Sequence, residues 1–289
     1  MKGALAAMCA ALVALEATKS SALPRGSVTL AAVIDEEMKS LGAEHLVESG
    51  FRADGAIIGE ATENRLALGH KGLEWIEIHF EGKTAHGGKL ETGVNAIVAA
   101  ARYIDLCQRE LVPRFATRRH QRLGPPTLNF GTIAGGDQPS TVAGRCRIRL
   151  DRRTVPGESW KSVSEELGEI GNRVEKEMPG LSIELLRMDD GMATLEHGSL
   201  DTNESDPIAR ATTAALRTVG ADPTPTVFPA WSDAALLSAH SGIPSIVLGP
   251  GDLALAHSPN ESVSVLQVIE AARIYALTAV HFCSNGNLK

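Results

Sequence analysis

Three adjacent carboxylates, Asp35, Glu36 and Glu37, follow directly on the apolar run 31–34 in the stretch AAVIDEEMKS. Adjacent acids repel one another and lose solvation at the end of a buried segment, so they persist where a cation or a proton offsets the cost. Two further residues of suitable chemistry stand at the ends of other apolar runs: Glu60 closes ADGAIIGE, and His257 lies in the loop after PSIVLGPG. Hard carboxylate oxygens with an imidazole suit zinc or a similar divalent ion. In a site open to substrate, one further carboxylate can serve as general base. Read alone, the three acids fit equally well at the start of a helix, where the N-terminal dipole favours negative charge. Glu60 and His257 at two other strand ends favour a site.

Such residues need a scaffold that brings strand ends together, and the hydrophobic pattern predicts one. Residues 3–17 read as a helix, SVTLAAVI (27–34) as a buried strand, and ADGAIIGE (53–60) as a second strand. The same style returns late in the chain, where PIARATTAALRTV is helical, TPTVFPA a strand, SDAALLSAHSG helical and PSIVLGPG a strand. A last helix covers about 264–282. This alternation predicts an α/β fold with a mostly parallel sheet, helices on both faces and ligands outside the carboxyl ends of the strands.

The pattern changes between these halves. LEWIEIHF alternates, with Ile76, Ile78 and Phe80 on one face, as a sheet with one buried side requires. A helix over about 92–110, strands TLNFGTI (127–133) and RCRIRLD (145–151), a second helix and the strand LSIELLR (181–187) follow. The second helix is marked by Pro156-Gly157 before it, by Trp160, Val163, Leu167, Ile170, Val174 and Met178 at helical spacing, and by Gly180 after it. The order β-α-β-β-α-β is ferredoxin-like. The expected division is a first part at 1–72, an inserted α/β sandwich at 73–187, and a second part of the outer domain at 188–289.

The bulk properties agree. A chain of 289 residues suits one large or two modest domains of about 150 residues each. A formal charge of −7 argues against a nucleic-acid surface, and the locally basic run RFATRRHQR (114–122) reads as a solvated loop. No apolar run is long enough to suggest a membrane span. Cys9, Cys107, Cys146 and Cys283 are scattered without a C-x-x-C pair, which fits reduced thiols and a cytoplasmic location. The start, MKGALAAMCAALVALEA, has the composition of a secretory signal, but it is also a good Ala/Leu helix, and the hydrophobic run that follows favours the helix.

At this point the motifs carry a family resemblance. MKGALAAM, DEE, IIGEAT, GHKGLEWIEI, GKTAHGG, GVNAI, GTIAGGDQPS, DRRTVPGE, WSDAALL and GPGDLALAHSPNE occur in this order. The chain resembles the co-catalytic zinc amidohydrolases and exopeptidases, which include acetylornithine deacetylase, succinyl-diaminopimelate desuccinylase, aminoacylase and carboxypeptidase G. The resemblance implies a metallopeptidase domain interrupted by a lid or dimerisation domain, two zinc ions per complete subunit with cobalt as a substitute, and a homodimer. It makes Glu36 the general base, Glu37 and His257 ligands of one zinc, and Glu60 a ligand of the other. His86, by itself an exposed loop histidine beside two glycines, becomes an oxyanion donor to the partner's active site. Arg153, or its neighbour Arg152, becomes the grip on a substrate carboxylate. Asp35 and Asp233 stand behind the ligands, Asp233 also as a helix-capping acid.

The sequence departs from the family in two places. After Gly135-Gly136 the family commonly has an Asn and a Val-Pro, where this chain has DQPSTVAGRC, so Ser140 and Ala143 stand in at the substrate-contacting position. The family also carries, upstream of its Met-Lys-Gly, a His-x-Asp motif and an Asp that bridges both metals. The chain is therefore expected to be N-terminally truncated and, as it stands, inactive. The expected function is zinc-dependent hydrolysis of an amide in a small carboxylate-bearing substrate, an N-acyl amino acid or short peptide, with no nucleic-acid or membrane partner. The alternative is a noncatalytic, dimerising or ligand-binding homologue with an incomplete metal site.

Overall fold

The segment GLEWIEIHFE pairs over all ten residues with a second strand of the same length, and from Ile76 onward it buries every other side chain. The structure, a computed structural model, describes residues 1–18, 26–188 and 195–284. Helices α1 (Lys2–Ala17) and α2 (Leu41–Glu48) come first, then strands β1 (Ala56–Ile58), β2 (Gly69–His70), β3 (Gly72–Glu81) and β4 (Ala85–His86). Helix α3 (Ala96–Leu106) leads to strands β5 (Thr127–Gly135), β6 (Thr141–Val142) and β7 (Arg145–Thr154). Helix α4 (Trp160–Glu177), β8 (Ser182–Arg187), β9 (Leu200–Asp201), α5 (Pro207–Val219), α6 (Ala234–Ser241), β10 (Ser245–Val247) and α7 (Val265–Ser284) complete the chain. The chain divides into two compact units, one made of Met1–His70 with Ser199–Lys289 and the other of Lys71–Gly198.

The second unit carries a four-stranded antiparallel sheet in the order β5-β7-β3-β8, the ferredoxin-like arrangement expected from the pattern. Ile76, Ile78 and Phe80 of β3 and Cys146, Ile148 and Leu150 of β7 are buried with Ala99, Tyr103, Val163, Leu167 and Val174 of the two helices. The Tyr103 hydroxyl donates to the Leu167 carbonyl at 2.9 Å and ties α3 to α4. Both helices start on capping side chains: Asn95 accepts from the Ile97 and Val98 amides, and Ser159 forms a reciprocal box with Ser162. Each cap is worth about 1 kcal/mol.

Two expectations change here. The basic run 114–122 is not simply a solvated loop: residues Val112–Arg118 form a tight helical turn that buries Phe115. Arg118 pairs with Glu158 and Glu166, so the run is stitched to α4 by charge. The unit also extends past residue 187 to Gly198, because the Leu73 amide donates to the His197 carbonyl at 2.8 Å and the Trp160 amide to Glu196 at 2.6 Å.

The first unit is held by helix packing more than by strands. Ala7 and Ala11 of α1, Ile208 and Leu216 of α5, and Ala271, Ile274 and Tyr275 of α7 bury one another with Leu66, Leu68, Ile246 and Leu248. Strands β1 and β10 run parallel over Ala56–Ile58 and Ser245–Val247. Beside them β2 pairs antiparallel with β9. The expected strand at 27–34 is not formed: the segment has no regular structure, and Val33 and Ile34 are 41% and 71% exposed. A strand needs a hydrogen-bonded neighbour along its length, and among the described residues none lies beside this one. TPTVFPA likewise gives one bridged residue, Thr226 opposite Ala67, because Pro225 and Pro229 offer no N–H to a ladder. Helix α7 is long and apolar enough to cross a membrane, yet it turns Ala271, Ile274, Tyr275 and Thr278 into the core of the unit.

Candidate metal and acid–base site

The parallel pair β1–β10 delivers two of the expected residues. Past Ile58 the chain turns at once, with the Glu60 amide donating to the Ile58 carbonyl at 3.1 Å, and Glu60 is 8% exposed. Past Val247 the loop runs beside it so closely that a Cβ on Gly249 would meet the Glu60 carbonyl at 2.5 Å. That loop leads to His257, held in the left-handed region at φ 58°. Its ring Nδ1 lies 3.5 Å from Glu37 Oε2 on the surface.

The acids at 35–37 neither close a strand nor open a helix; they form a turn. Asp35 takes φ 70°, its carbonyl accepts from the Met38 and Ser40 amides and its carboxylate accepts from the Lys39 amide at 3.3 Å. Asp35 thus shapes the turn that aims Glu36 inward and leaves Glu37 outward. Ser40, also left-handed and fully buried, ends the turn and hydrogen-bonds Asp233. Asp233 sits at the N-terminus of α6 without capping it. Its buried Oδ1, like Oε1 of Glu60, finds no partner among the described residues.

Glu36, Glu60 and Asp233 lie close enough for their charges to act on one another. Burial pushes Glu36 up to about 8, with the negative charges of Glu60, Asp233 and Glu37 adding to it and the Met1 amino group opposing. Burial also pushes Glu60 up to about 7; the Met1 amino group pulls it back and Asp233 and Glu37 add to the rise. Asp233 rises to about 6 by burial, against the Ser40 hydrogen bond. Two buried acids and the half-buried Glu36, pushed up together, mark a place where a proton or cation is favoured.

The donor types fit a divalent cation: two carboxylate oxygens without partners, with an imidazole and a further carboxylate beside one another. Their number is smaller than a closed site needs. Among the described residues no group of three or more His, Cys, Asp or Glu is arranged to hold a metal ion.

The remaining candidates lie in the second unit. His86 pairs with Thr141, and the Gly87 amide donates to the Ser140 carbonyl at 2.7 Å, so His86 and Ser140 are neighbours. His86 Nδ1 accepts from the Gly88 amide at 3.0 Å, which places the proton of the neutral ring on Nε2. Ala143 is buried, and its carbonyl accepts from Ala96 at the start of α3. Arg153 bonds Asp151 at 2.8 Å and stays half-exposed. Arg152 is 1% exposed, stacked on Phe115 and paired with Glu158 at 2.5 Å, which makes it part of the core. Sequence reasoning missed Ser40, whose only signal is a small polar residue closing an acid-rich turn. It also missed the pair His70–Ser232, bonded at 3.1 Å beside Asp233.

One unit made of two separate stretches of chain, interrupted by a sandwich unit at Lys71–Gly198, is an arrangement shared with known proteins. Residues 68–179 match the peptidase dimerisation domain of the M20 family. Acetylornithine deacetylase of Myxococcus xanthus is 29% identical over 275 residues, covering 93% of this chain and 69% of the relative. The Vibrio cholerae enzyme of the same name is 28% identical, over 87% of this chain and 64% of its own. The chain thus spans between 64% and 69% of the length of these relatives. Aminopeptidase PepT of Bacillus cereus superposes with a TM-score of 0.79 at 22% identity, covering 97% of this chain and 70% of that one. The Bacillus subtilis protein YXEP, a dinuclear metal binding peptidase, does so at 0.68 and 15%, covering 95% and 69%. Residues 68–179 thus match a peptidase dimerisation domain, and the chain as a whole is similar to acetylornithine deacetylases in sequence and to M20 peptidases in fold.

Proposed function

We propose that this chain is a metal-dependent amidohydrolase acting on N-acyl amino acids or short peptides that carry a free carboxylate. The observation that carries the reading is the gathering of the half-buried Glu36 with buried Glu60 and Asp233, whose orphaned oxygens find no partner among the described residues, beside the Glu37–His257 pair. Glu37 and His257 would hold one divalent ion and Glu60 the other, with zinc the best match to carboxylate and imidazole donors and cobalt a substitute. When bound there, the ions would supply positive charge to polarise the scissile carbonyl and acidify a water.

Glu36 takes the proton of the attacking water and gives it to the leaving amine. Its high proton affinity in the bare protein is the property that a neighbouring cation would lower into a working range. His86 offers Nε2–H to the developing oxyanion, since Nδ1 is already engaged by Gly88. Arg153 grips the substrate carboxylate, with Ser140 as a further polar contact. Asp35 and Asp233 hold the turn and the α6 end in place.

The deciding experiment pairs a panel of N-acyl amino acids and dipeptides with the E36Q variant. Removing the base should lower kcat by about 10²–10⁴-fold with KM little changed. Turnover of unrelated esters or phosphates alone, or an E36Q variant as active as the parent, would remove the assignment.

The absence of a three-donor group among the described residues favours a second reading, a noncatalytic homologue that dimerises or binds a ligand. Metal analysis after dialysis separates the two. Retained zinc with turnover supports the enzyme, and loss of zinc with no turnover at any added concentration supports the binding module.

A further inference from the structure

Helix α7 is bonded to both strand-end loops that carry the proposed ligands. Its Gln267 side chain accepts from the Gly251 amide at 2.9 Å, and its Tyr275 hydroxyl donates to the Leu248 carbonyl at 2.7 Å. The loop after β1 is tied to the loop after β10 by Thr62, whose hydroxyl accepts from the Gly249 amide at 3.1 Å, and by the Glu63 amide, which donates to the Gly251 carbonyl at 2.8 Å; its side-chain bonds to α7 come from Asn64. Asn64 donates its side-chain amide to the Gln267 carbonyl at 2.9 Å and to Glu270 Oε2 at 2.8 Å. Its backbone amide donates to the Gly249 carbonyl at 2.9 Å.

Asn64 is 3% exposed and sits at φ 60°, a conformation that Asn and Gly adopt more readily than other residues. Both groups facing its Nδ2 are acceptors, so the amide can point only one way. An aspartate there would face the Glu270 carboxylate, and a glycine would keep the backbone turn while deleting both bonds to the helix.

We propose that Asn64 is a positioning residue that locks the loop following Glu60 onto α7. With the bonds of Thr62 and Glu63 to the loop after β10, it thereby helps to set the spacing between the Glu60 carboxylate and the strand end that leads to His257. The metal arm of this inference rests on Glu60 being a ligand, as argued above; the clamp itself does not. A group bonded directly to a metal ligand changes affinity by about 10–100-fold when removed; Asn64 acts through the loop backbone, so that range is the ceiling for its effect.

The test uses the 289-residue chain and its N64G variant, with E270Q, which keeps an acceptor, as the conservative control. Three readouts are compared: amide exchange of residues 62–65, zinc affinity by competition with a chromophoric chelator, and Tm. N64G should speed exchange at 62–65 while α7 keeps its protection, and should weaken zinc by at most about 10–100-fold with Tm nearly unchanged. E270Q should stay near the parent. Unchanged exchange and affinity in N64G would overturn the proposal, and so would exchange that rises equally through α7, which would mean general loosening. If N64G fails to fold, E270A, which removes one acceptor and leaves the turn residue, carries the same readouts. A parent chain that takes up no zinc would remove the ligand assignment, and the exchange readout would then decide the clamp alone.

Discussion

Neighbouring arginines on one strand show how burial assigns a role at the scale of a residue. Arg152 and Arg153 alternate to opposite faces of β7, as successive strand residues must. Arg152 enters the core, where burial lowers its pKa and the Glu158 carboxylate counters that effect. Removing one partner of such a pair leaves a buried unpaired charge, at a cost of about 3–5 kcal/mol. R152A should therefore unfold at markedly lower denaturant while any KM it retains is unchanged. Arg153 keeps a half-exposed pair with Asp151, of a kind worth only about 0–1 kcal/mol. R153A should fold normally and raise KM by about 10–100-fold for a carboxylate-bearing substrate, the worth of one charged hydrogen bond. Denaturant titration beside steady-state kinetics on both variants checks the pair, and the opposite pattern would exchange the two roles.

Between residues and the whole molecule, the elements explain which parts of the fold the sequence made legible. The second unit could be read because β3, β7 and α4 each carry one clean period, and because each buries its apolar set inside the same unit. The first unit was harder, since a hydrophobic run such as 27–34 reads as a strand whether or not a neighbour exists to complete its ladder. Glu60 and His257 stand out in the sequence as polar residues at the ends of apolar runs, and Asp233 as an acid at a helix start. Ser40 and Asn64 do not, because both act through a left-handed backbone, which residue type signals weakly in Ser and Asn. The open face of the sheet carries a charge ladder of its own. Glu77 meets His79 and Arg149, each at 2.5 Å, and Arg147 at 3.6 Å. Partial burial pushes Glu77 up, but the hydrogen bonds from His79 and Arg149 and the charges of Arg147 and Arg149 outweigh it, so the net shift is downward. A carboxyl depressed on folding stabilises the native state above its unfolded value, here 4.5, and that stability is lost as pH falls through the folded value. E77Q should lower Tm by about 2–6 °C at pH 7 and by almost nothing near pH 3. Equal losses at both pH values would mean that packing, not charge, is at work.

At the scale of the whole molecule, one chain cannot bring His86 and Arg153 to the same small substrate. Arg153 pairs with Leu73 at one end of β7, and the His86–Ser140 pair lies beyond Arg145 at the other. Eight residues of strand at about 3.3 Å each separate Arg145 from Arg153 by roughly 26 Å, far more than an N-acyl amino acid can span. If both act in one reaction, they come from different subunits. The matched peptidase dimerisation domain at 68–179 agrees, as does β5, an edge strand with exposed Ile133, the kind of surface that a second copy can cover. The consequence is complementation between dead variants. E36Q keeps His86 and lacks the base; H86A keeps the base and lacks the donor. If His86 serves the partner's site, a mixed dimer holds one complete site, although neither parent dimer holds any. After unfolding and refolding an equal mixture, random pairing makes half the dimers mixed, so about a quarter of wild-type activity should return. Sedimentation should show a dimer throughout. No recovery in a mixture shown to contain mixed dimers would place His86 in the site of its own chain or outside the reaction, and a fully active monomer would remove the shared site altogether.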